Sequence, residues 1–175
     1  EPHFQITGIE LNKKIFDAIE PHAADNVELI NTSFLTYHPD TPPELMLGNP
    51  PFFVMKKPQV DEDYYPFFDG RPNIFILFLI KSIKILAEGG IISYVLPKNF
   101  LNCLYYDKTR QFINQTCKIL EIIHCNDQYL DTEQDTIILI FQKTMPDAGE
   151  NDAFVIKKNG YTAFGRPEDI TKIKS

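Results

Sequence analysis

Short apolar runs recur along the chain, and segments with helical spacing separate several of them. Apolar runs of this length, bounded by turn residues, are typical of strands that lie inside a sheet. These runs predict strands over residues 4–11, 26–31, 44–49, 91–97, 119–125 and 136–143, with a further short strand over 153–158.

Helical spacing fills much of the sequence between those runs. It predicts helices over residues 12–19, 74–90 and 103–116, and a weak helix after Pro167. Strands that alternate with helices favour an α/β fold, here a largely parallel sheet flanked by helices. Ligands of such sheets bind at the carboxyl ends of the strands. The positions that follow strands are therefore the candidates for function: Glu10, Ser33 and Phe34, Asn49 to Phe52, and Pro97 to Phe100.

Residues 54–73 interrupt this alternation and predict a loop. The segment contains three prolines, the acidic triplet 61–63 and several aromatic residues. One interpretation is a solvated, mobile loop. The other is a loop that orders over a substrate, with Tyr64, Tyr65, Phe67 and Phe68 as its contacts.

Composition narrows the class of protein. The 175 residues suffice for one domain with a sizeable core, and they are 43% hydrophobic and 23% charged. A net charge of −7 is the wrong sign for a protein that binds nucleic acid by itself. The three cysteines (Cys103, Cys117 and Cys125) lack CxxC spacing, which indicates reduced thiols.

No targeting or membrane segment is recognisable. The longest apolar stretch, residues 74–86, is interrupted by two lysines and is too short to cross a bilayer. We expect a protein that is not secreted and has no membrane partner, located in the cytoplasm, or in the nucleus or a viral factory if its host is eukaryotic. The four histidines show no metal-ligand spacing.

The stretch LGNPPF, residues 47–52, carries the most specific chemistry in the sequence. Pro50 and Pro51 are rigid and have no N–H, so the backbone near them offers only acceptors. The side-chain oxygen of Asn49 is another acceptor. Two fixed acceptors could hold both hydrogens of an exocyclic amino group and favour an sp3-like nitrogen that attacks an electrophile. Phe52 offers a face on which a planar base could stack. The alternative is a plain strand-ending turn, because prolines stop β-structure.

Several motifs, in this order, resemble those of the S-adenosylmethionine-dependent amino methyltransferases that methylate adenine N6 in DNA. Their motif is Asn, Asp or Ser, then Pro-Pro and an aromatic residue. The resemblance runs from about Gln5 to Lys143 and is closest to the subgroup with the cofactor region first and target recognition last. It implies a Rossmann-like methyltransferase sheet, S-adenosylmethionine as cofactor, double-stranded DNA as partner, base flipping and no metal.

The resemblance also implies roles for individual residues. Glu10 matches the acid that binds the cofactor ribose, and a carboxylate can accept from both hydroxyls; a surface acid is the alternative. Phe34 would lie against the cofactor adenine. Ser33 stands where the family usually has Asp, so it could accept one hydrogen bond there. Asn49 would contribute to the cofactor site as well as to catalysis.

For catalysis, the resemblance assigns Asn49 and the Pro50 carbonyl as acceptors, with Pro51 in the motif and Phe52 as the stacking residue. Pro97, Lys98 and Asn99 would be exposed beside the target base. Tyr129 precedes the last strand, where that subgroup has an aromatic residue that stacks on the flipped base. The alternative for Tyr129 is a partly buried loop tyrosine.

The sequence shows neither the glycine-rich cofactor loop of the family, with the strand before it, nor a full target-recognition domain. A glycine-rich cofactor loop should precede Glu10 by about twenty residues, at the end of a central first strand. A sheet without that strand would leave two facing edges unpaired. We expect missing N-terminal and C-terminal segments, or a partner chain, to supply the strand and a basic DNA-binding part. The division expected is a partial catalytic domain over 1–144, then a linker and the start of a target-recognition-like region over 145–175.

Three functions are compatible with these patterns. The first is a site-specific DNA adenine-N6 methyltransferase, as in restriction-modification systems. The second is methylation of another planar amine, such as a protein glutamine or an RNA base, since the same motif occurs in those enzymes. The third is a non-catalytic methyltransferase-like subunit, for which Ser33 and the absent glycine loop argue.

Overall fold

The computed structural model describes residues 4–125, 135–147 and 149–165. The chain forms two units, Glu1–Asp40 and Thr41–Ser175. In the first unit, strands β1 (Ile6–Ile9) and β2 (Val27–Ile30) pair in parallel. Helix α1 (Lys13–Ile19), followed by a 3-10 turn, connects them. The predicted strand–helix–strand order of this unit is confirmed.

Helix α1 begins where its sequence provides a cap. The side chain of Asn12 accepts hydrogen bonds from the backbone N–H groups of Lys14 and Ile15, at 3.0 and 3.4 Å. An asparagine at this position satisfies donors that the first helical turn leaves without a partner. The cap therefore starts the helix only three residues after β1 ends.

The second unit is built on a four-stranded sheet in the order β3-β4-β6-β5. Its strands are β3 (Leu45–Gly48), β4 (Ile91–Pro97), β5 (Cys117–Cys125) and β6 (Thr136–Lys143). β3 and β4 are parallel, whereas β6 is antiparallel to both of its neighbours. Within the described ranges, the other edge of β3 has no strand partner.

The antiparallel pairs differ from the largely parallel sheet that the sequence predicts. The connection from Cys125 to Thr136 is shorter than the dozen or so residues that a parallel crossover needs. Two consecutive strands joined so closely must run in opposite directions. Those strands close the sheet with a pair that matches the resemblance to the methyltransferases.

Helix α2 (Ile74–Ile85) packs on this sheet and contributes more buried apolar side chains to the core than any other described element. Side chains of β4 alternate between half-buried and buried positions, so Ile92, Tyr94 and Leu96 point into the core. Burial of this apolar surface is the main stabilising contribution to the unit.

Helix α2 ends at Ile85, not at Gly90 as the sequence predicts. Leu86 already has an extended backbone, with ψ of 144°. The backbone N–H of Gly89 donates to Lys143 O (2.7 Å), and that of Lys143 donates to Gly90 O (2.9 Å). The glycines therefore pair with the end of β6, and the chain must leave the helix earlier to reach it.

Helix α3 (Asp107–Thr116) begins later than predicted, after a 3-10 turn over Leu104–Tyr106. A hairpin of β7 (Val155–Lys158) and β8 (Tyr161–Phe164) ends the described chain. The helix predicted after Pro167 lies outside the described residues.

The predicted loop over residues 54–73 belongs to the second unit, and part of it packs into that unit. It contains two 3-10 helices, Lys57–Gln59 and Glu62–Phe67. Phe68 is buried, and the ring of Phe67 lies 4.6 Å from that of Phe112 in α3. The prediction of a solvated, mobile loop is wrong for these two aromatic residues, because they pack on the protein itself.

Candidate active site

The Asn-Pro-Pro-Phe motif follows β3 directly, so it lies at the carboxyl end of that strand. Asn49 is exposed, whereas Pro50 is buried. The exposed amide can reach a substrate, and the buried proline fixes the backbone that carries it. The motif thus stands where α/β sheets bind their ligands.

Phe52 rests on an aromatic cluster beneath the motif. Its ring meets that of Phe75 edge-on, with centroids 5.9 Å apart. Phe75 is fully buried and makes similar contacts with Phe100 (5.8 Å) and Tyr106 (5.1 Å). Phe52 itself is half-buried. The residue is therefore partly open to solvent, while the edge contact holds its ring in place.

Backbone hydrogen bonds fix the chain that leaves the motif. Phe53 O accepts from Ile74 N (2.9 Å), and Met55 N donates to Pro72 O (2.8 Å). The side chain of Asn73 caps α2 by accepting from Phe75 N (3.5 Å). The residues after Phe52 are thereby attached to the start of the most buried helix of the unit.

The predicted pocket residues lie at the same edge of the sheet. β3 and β4 are parallel neighbours, so their carboxyl ends coincide. Phe100, which follows Asn99, shares the contact to Phe75 with Phe52. The structure therefore brings Asn49–Phe52 and Pro97–Asn99 to one region.

Within that region, Pro97 is not exposed as the sequence predicts. Lys98 and Asn99 are exposed, but Pro97 is buried because it is the last residue of β4 and pairs with Thr136. The Lys98 ammonium lies 3.2 Å from the Asp135 carboxylate, and Lys98 N donates to Asp135 O at 2.9 Å. Only the two residues after the strand present side chains to solvent.

A buried arginine that sequence reasoning missed holds the turn after β4. Arg110 of α3 is 1% exposed, and its Nη1 donates to Phe100 O (2.7 Å) and Cys103 O (2.9 Å). Its Nη2 lies 3.7 Å from the carboxylate of Asp107, which also accepts from Thr162 N (2.6 Å). The pair connects the turn at Lys98–Leu101 with the hairpin.

Burial sets the electrostatics of this pair. It lowers the pKa of the Arg110 guanidinium to about 10, while the Asp107 carboxylate opposes the decrease. Arg110 is therefore charged at neutral pH. A sequence signal did exist, since Asp107 and Arg110 have the i, i+3 spacing of a helical ion pair, but it does not reveal burial.

The cofactor candidates lie in the first unit. Glu10 follows β1, and its Oε1 accepts from Asn12 N at 2.6 Å. Asn31 follows β2 and donates from Nδ2 to Glu10 O (2.8 Å) and Leu11 O (3.2 Å). These bonds join the carboxyl ends of the two strands. The arrangement places the carboxylate of Glu10 at the edge where a ligand is expected.

Ser33 and Phe34 follow at the same edge, in a turn after β2. Ser33 O accepts from Thr36 N (3.1 Å) and Tyr37 N (3.0 Å), and both Ser33 and Phe34 are half-buried. Glu10, Ser33 and Phe34 thus gather at one end of the small sheet. Tyr129, the predicted second stacking residue, lies outside the described residues.

The described part of the chain contains neither a cluster of metal ligands nor a membrane-spanning helix. Among those residues, no group of three or more His, Cys, Asp or Glu side chains is placed to hold a metal ion. In the same residues, no helix is both long and apolar enough to cross a membrane.

Comparison with known proteins gives the family context of this arrangement. The sequence model of the family described as Eco57I restriction-modification methylase matches residues 6–130, which is more than half of the chain. The Type II methyltransferase M.CvrRI of Paramecium bursaria Chlorella virus XZ-6E is 26% identical over 164 residues. The match covers 93% of this chain and 41% of that protein. This chain therefore spans less than half the length of that curated relative.

Solved structures show the fold. A Listeria monocytogenes protein described as a class I S-adenosylmethionine-dependent methyltransferase superposes with a TM-score of 0.66 at 15% identity, over 82% of this chain and 46% of that one. The methyltransferase subunit of a Streptococcus thermophilus type I restriction-modification system gives 0.63 at 18% identity, over 96% and 41%. The chain is therefore similar in fold to class I methyltransferases.

Proposed function

Because this chain belongs to the Eco57I restriction-modification methylase family, we propose that it carries catalytic residues of a DNA methyltransferase that modifies the N6 amino group of adenine. The observation that supports the proposal most strongly is the placement of Asn49-Pro50 at the carboxyl end of β3. Asn49 and Pro50 offer two acceptors there, beside Phe52, whose ring rests on the buried Phe75.

Recognition of the base follows from this geometry. A flipped adenine stacks on the accessible part of the Phe52 ring, and such stacking contributes about 1–3 kcal/mol per base. The Asn49 side-chain oxygen and the Pro50 carbonyl each accept one hydrogen of the exocyclic amino group. Both hydrogens are then held, and the nitrogen directs its lone pair away from the ring plane.

The first unit fits the nucleoside part of S-adenosylmethionine. The carboxylate of Glu10 accepts from the ribose hydroxyls, and Phe34 offers a flat apolar surface to the adenine. The hydroxyl of Ser33 accepts one hydrogen bond from the adenine amino group. When bound, S-adenosylmethionine supplies an electrophilic methyl group on a positively charged sulfur.

The residues of the motif promote transfer mainly by orientation. A correctly held nucleophile can react far faster than a free one, and a misplacement near 1 Å costs about 100-fold in rate. The nitrogen–methyl bond would form as the methyl–sulfur bond breaks, so that a neutral thioether leaves. The oxygens of Asn49 and Pro50 would stabilise the positive charge on the amino nitrogen until a proton leaves to water.

The test supplies the complete protein with methyl-labelled S-adenosylmethionine and offers unmethylated DNA, RNA and protein extracts as acceptors in parallel. We expect label in DNA alone. Label in RNA or protein alone would favour methylation of another planar amine and overturn the DNA assignment. Absence of transfer, together with absence of cofactor binding by calorimetry, would leave a non-catalytic role.

A further inference from the structure

Gly48, the last residue of β3, lies against an aromatic ring directly before Asn49. A Cβ atom at position 48 would stand 3.0 Å from Cε1 of Tyr94 and 3.4 Å from its Cδ1. The backbone φ of Gly48 is not positive. The backbone conformation therefore does not require glycine, and the need is for space: a side chain at position 48 would fit only if the ring of Tyr94 gave way by a few tenths of an ångström.

The ring of Tyr94 is held at both ends. Tyr94 pairs with Gly48 in the parallel register of β3 and β4 and is 4% exposed. Its hydroxyl oxygen lies 2.6 Å from Oγ of Ser82, a fully buried residue of α2. Burial raises the pKa of Tyr94 above its usual value, so the hydroxyl keeps its proton at neutral pH. The group is an anchor and not a base.

Displacement at Gly48 would pass directly to the acceptors. Asn49 is the next residue, and Pro50 and Pro51 restrict the backbone dihedrals that could absorb a shift. The far side of β3 has no strand partner within the described ranges. The described residues thus restrain the end of this strand through its pairing with β4.

We propose that Tyr94 and Gly48 are positioning residues for the methyl transfer: the ring of Tyr94, anchored by Ser82, sets the place of the Asn49 side-chain oxygen and the Pro50 carbonyl. The inference rests on the proposed function of that motif. It adds a specific support from α2 and β4 that the motif itself does not contain.

The principal test compares Gly48→Ala with Ile119→Ala in the complete protein. Ile119 is buried in β5, which two strands separate from β3, so its truncation weakens the same core without touching the motif. For Gly48→Ala we expect kcat to fall about tenfold or more, with KM for DNA and the Kd of S-adenosylmethionine within about threefold of wild type. For Ile119→Ala we expect thermal stability to fall while kcat of the folded enzyme is unchanged.

A second variant decides the matter if Gly48→Ala does not fold. Tyr94→Phe keeps the ring and removes only the bond to Ser82, and we expect kcat to fall about threefold or more with KM unchanged. Wild-type kcat in Tyr94→Phe and in any folded Gly48→Ala would overturn the proposal. The same holds if loss in Gly48→Ala appears in KM alone. Failure of the wild-type protein to methylate DNA would instead contradict the proposed function.

Discussion

The ring of Phe52 stands edge-on against the ring of Phe75, with an interplanar angle of 84°. This contact joins an accessible aromatic residue to one that is fully buried. The proposed stacking surface is therefore held in place before any base arrives. A rigid surface lowers the conformational entropy lost on binding.

This relationship gives a test of the stacking role. Phe52→Leu keeps apolar packing on Phe75 but removes the aromatic face, so DNA binding should weaken by about 1–3 kcal/mol, or roughly 5- to 150-fold. The Kd of S-adenosylmethionine should not change. Phe53→Leu is the matched control, since Phe53 is 52% exposed. A change in cofactor affinity alone would show that Phe52 does not stack on the base.

Glu10 provides a test of the cofactor site that needs no DNA. Glu10→Gln replaces charge-assisted hydrogen bonds by weaker neutral ones, and we expect the Kd of S-adenosylmethionine to rise about tenfold or more by calorimetry. Glu28→Gln in β2, an exposed position, should leave the Kd unchanged. Equal affinities of the two variants would remove Glu10 from the site.

Arg110 should contribute more to stability than any exposed cation. Arg110→Met leaves Asp107 as a buried charge and removes the donor of Phe100 O and Cys103 O, so the free energy of unfolding should fall by about 3–5 kcal/mol. Lys108→Met, which breaks an exposed ion pair with Asp69, should cost about 1 kcal/mol or less. Denaturant unfolding of both variants measures the difference, and similar losses would contradict the structural role of Arg110.

Cys117 should make stability depend on alkaline pH. Burial raises the pKa of its thiol to about 11 from an ordinary value of 9.0. The folded state therefore retains a proton that the unfolded state loses, so stability is complete below pH 9 and decreases as pH rises towards 11. The decrease should reach about 2–3 kcal/mol at most.

Cys117→Ala isolates that contribution, because the raised pKa of Tyr94 acts in the same direction at higher pH. The variant should be less stable than wild type at pH 7 owing to lost packing, and its stability should fall less steeply between pH 9 and 11. Parallel pH profiles for the two proteins would mean that the thiol does not remain protonated by burial.

Much of the fold could be predicted from the sequence, because the local hydrophobic pattern agrees with the burial that each element has in the folded chain. β4 and β6 are apolar runs of strand length, and Asn12 marks the start of α1. The end of α2 could not be predicted, because the helix stops where Gly89 and Gly90 pair with Lys143, which lies far along the chain. Local sequence contains no record of such a partner.

The candidate site likewise has a part that the sequence predicts and a part that only the structure shows. Asn49 to Phe52 form a contiguous motif whose chemistry follows from residue type. The contacts of the other two residues depend on the folded chain. Arg110 donates to Phe100 O, and the ring of Tyr94 lies beside Gly48, and neither neighbour is adjacent in sequence. Burial of Pro97 likewise follows from its pairing in the sheet and not from its neighbours in sequence.

The central claim is that Asn49 holds the amino group of adenine while it is methylated. The most direct measurement is mass spectrometry of nucleosides from DNA incubated with the complete protein, with Asn49→Ala, and with the exposed Asn102→Ala as control. We predict N6-methyladenine from wild type and Asn102→Ala, and none from a folded Asn49→Ala that still binds S-adenosylmethionine. A different methylated base, or full turnover by Asn49→Ala, would contradict the claim.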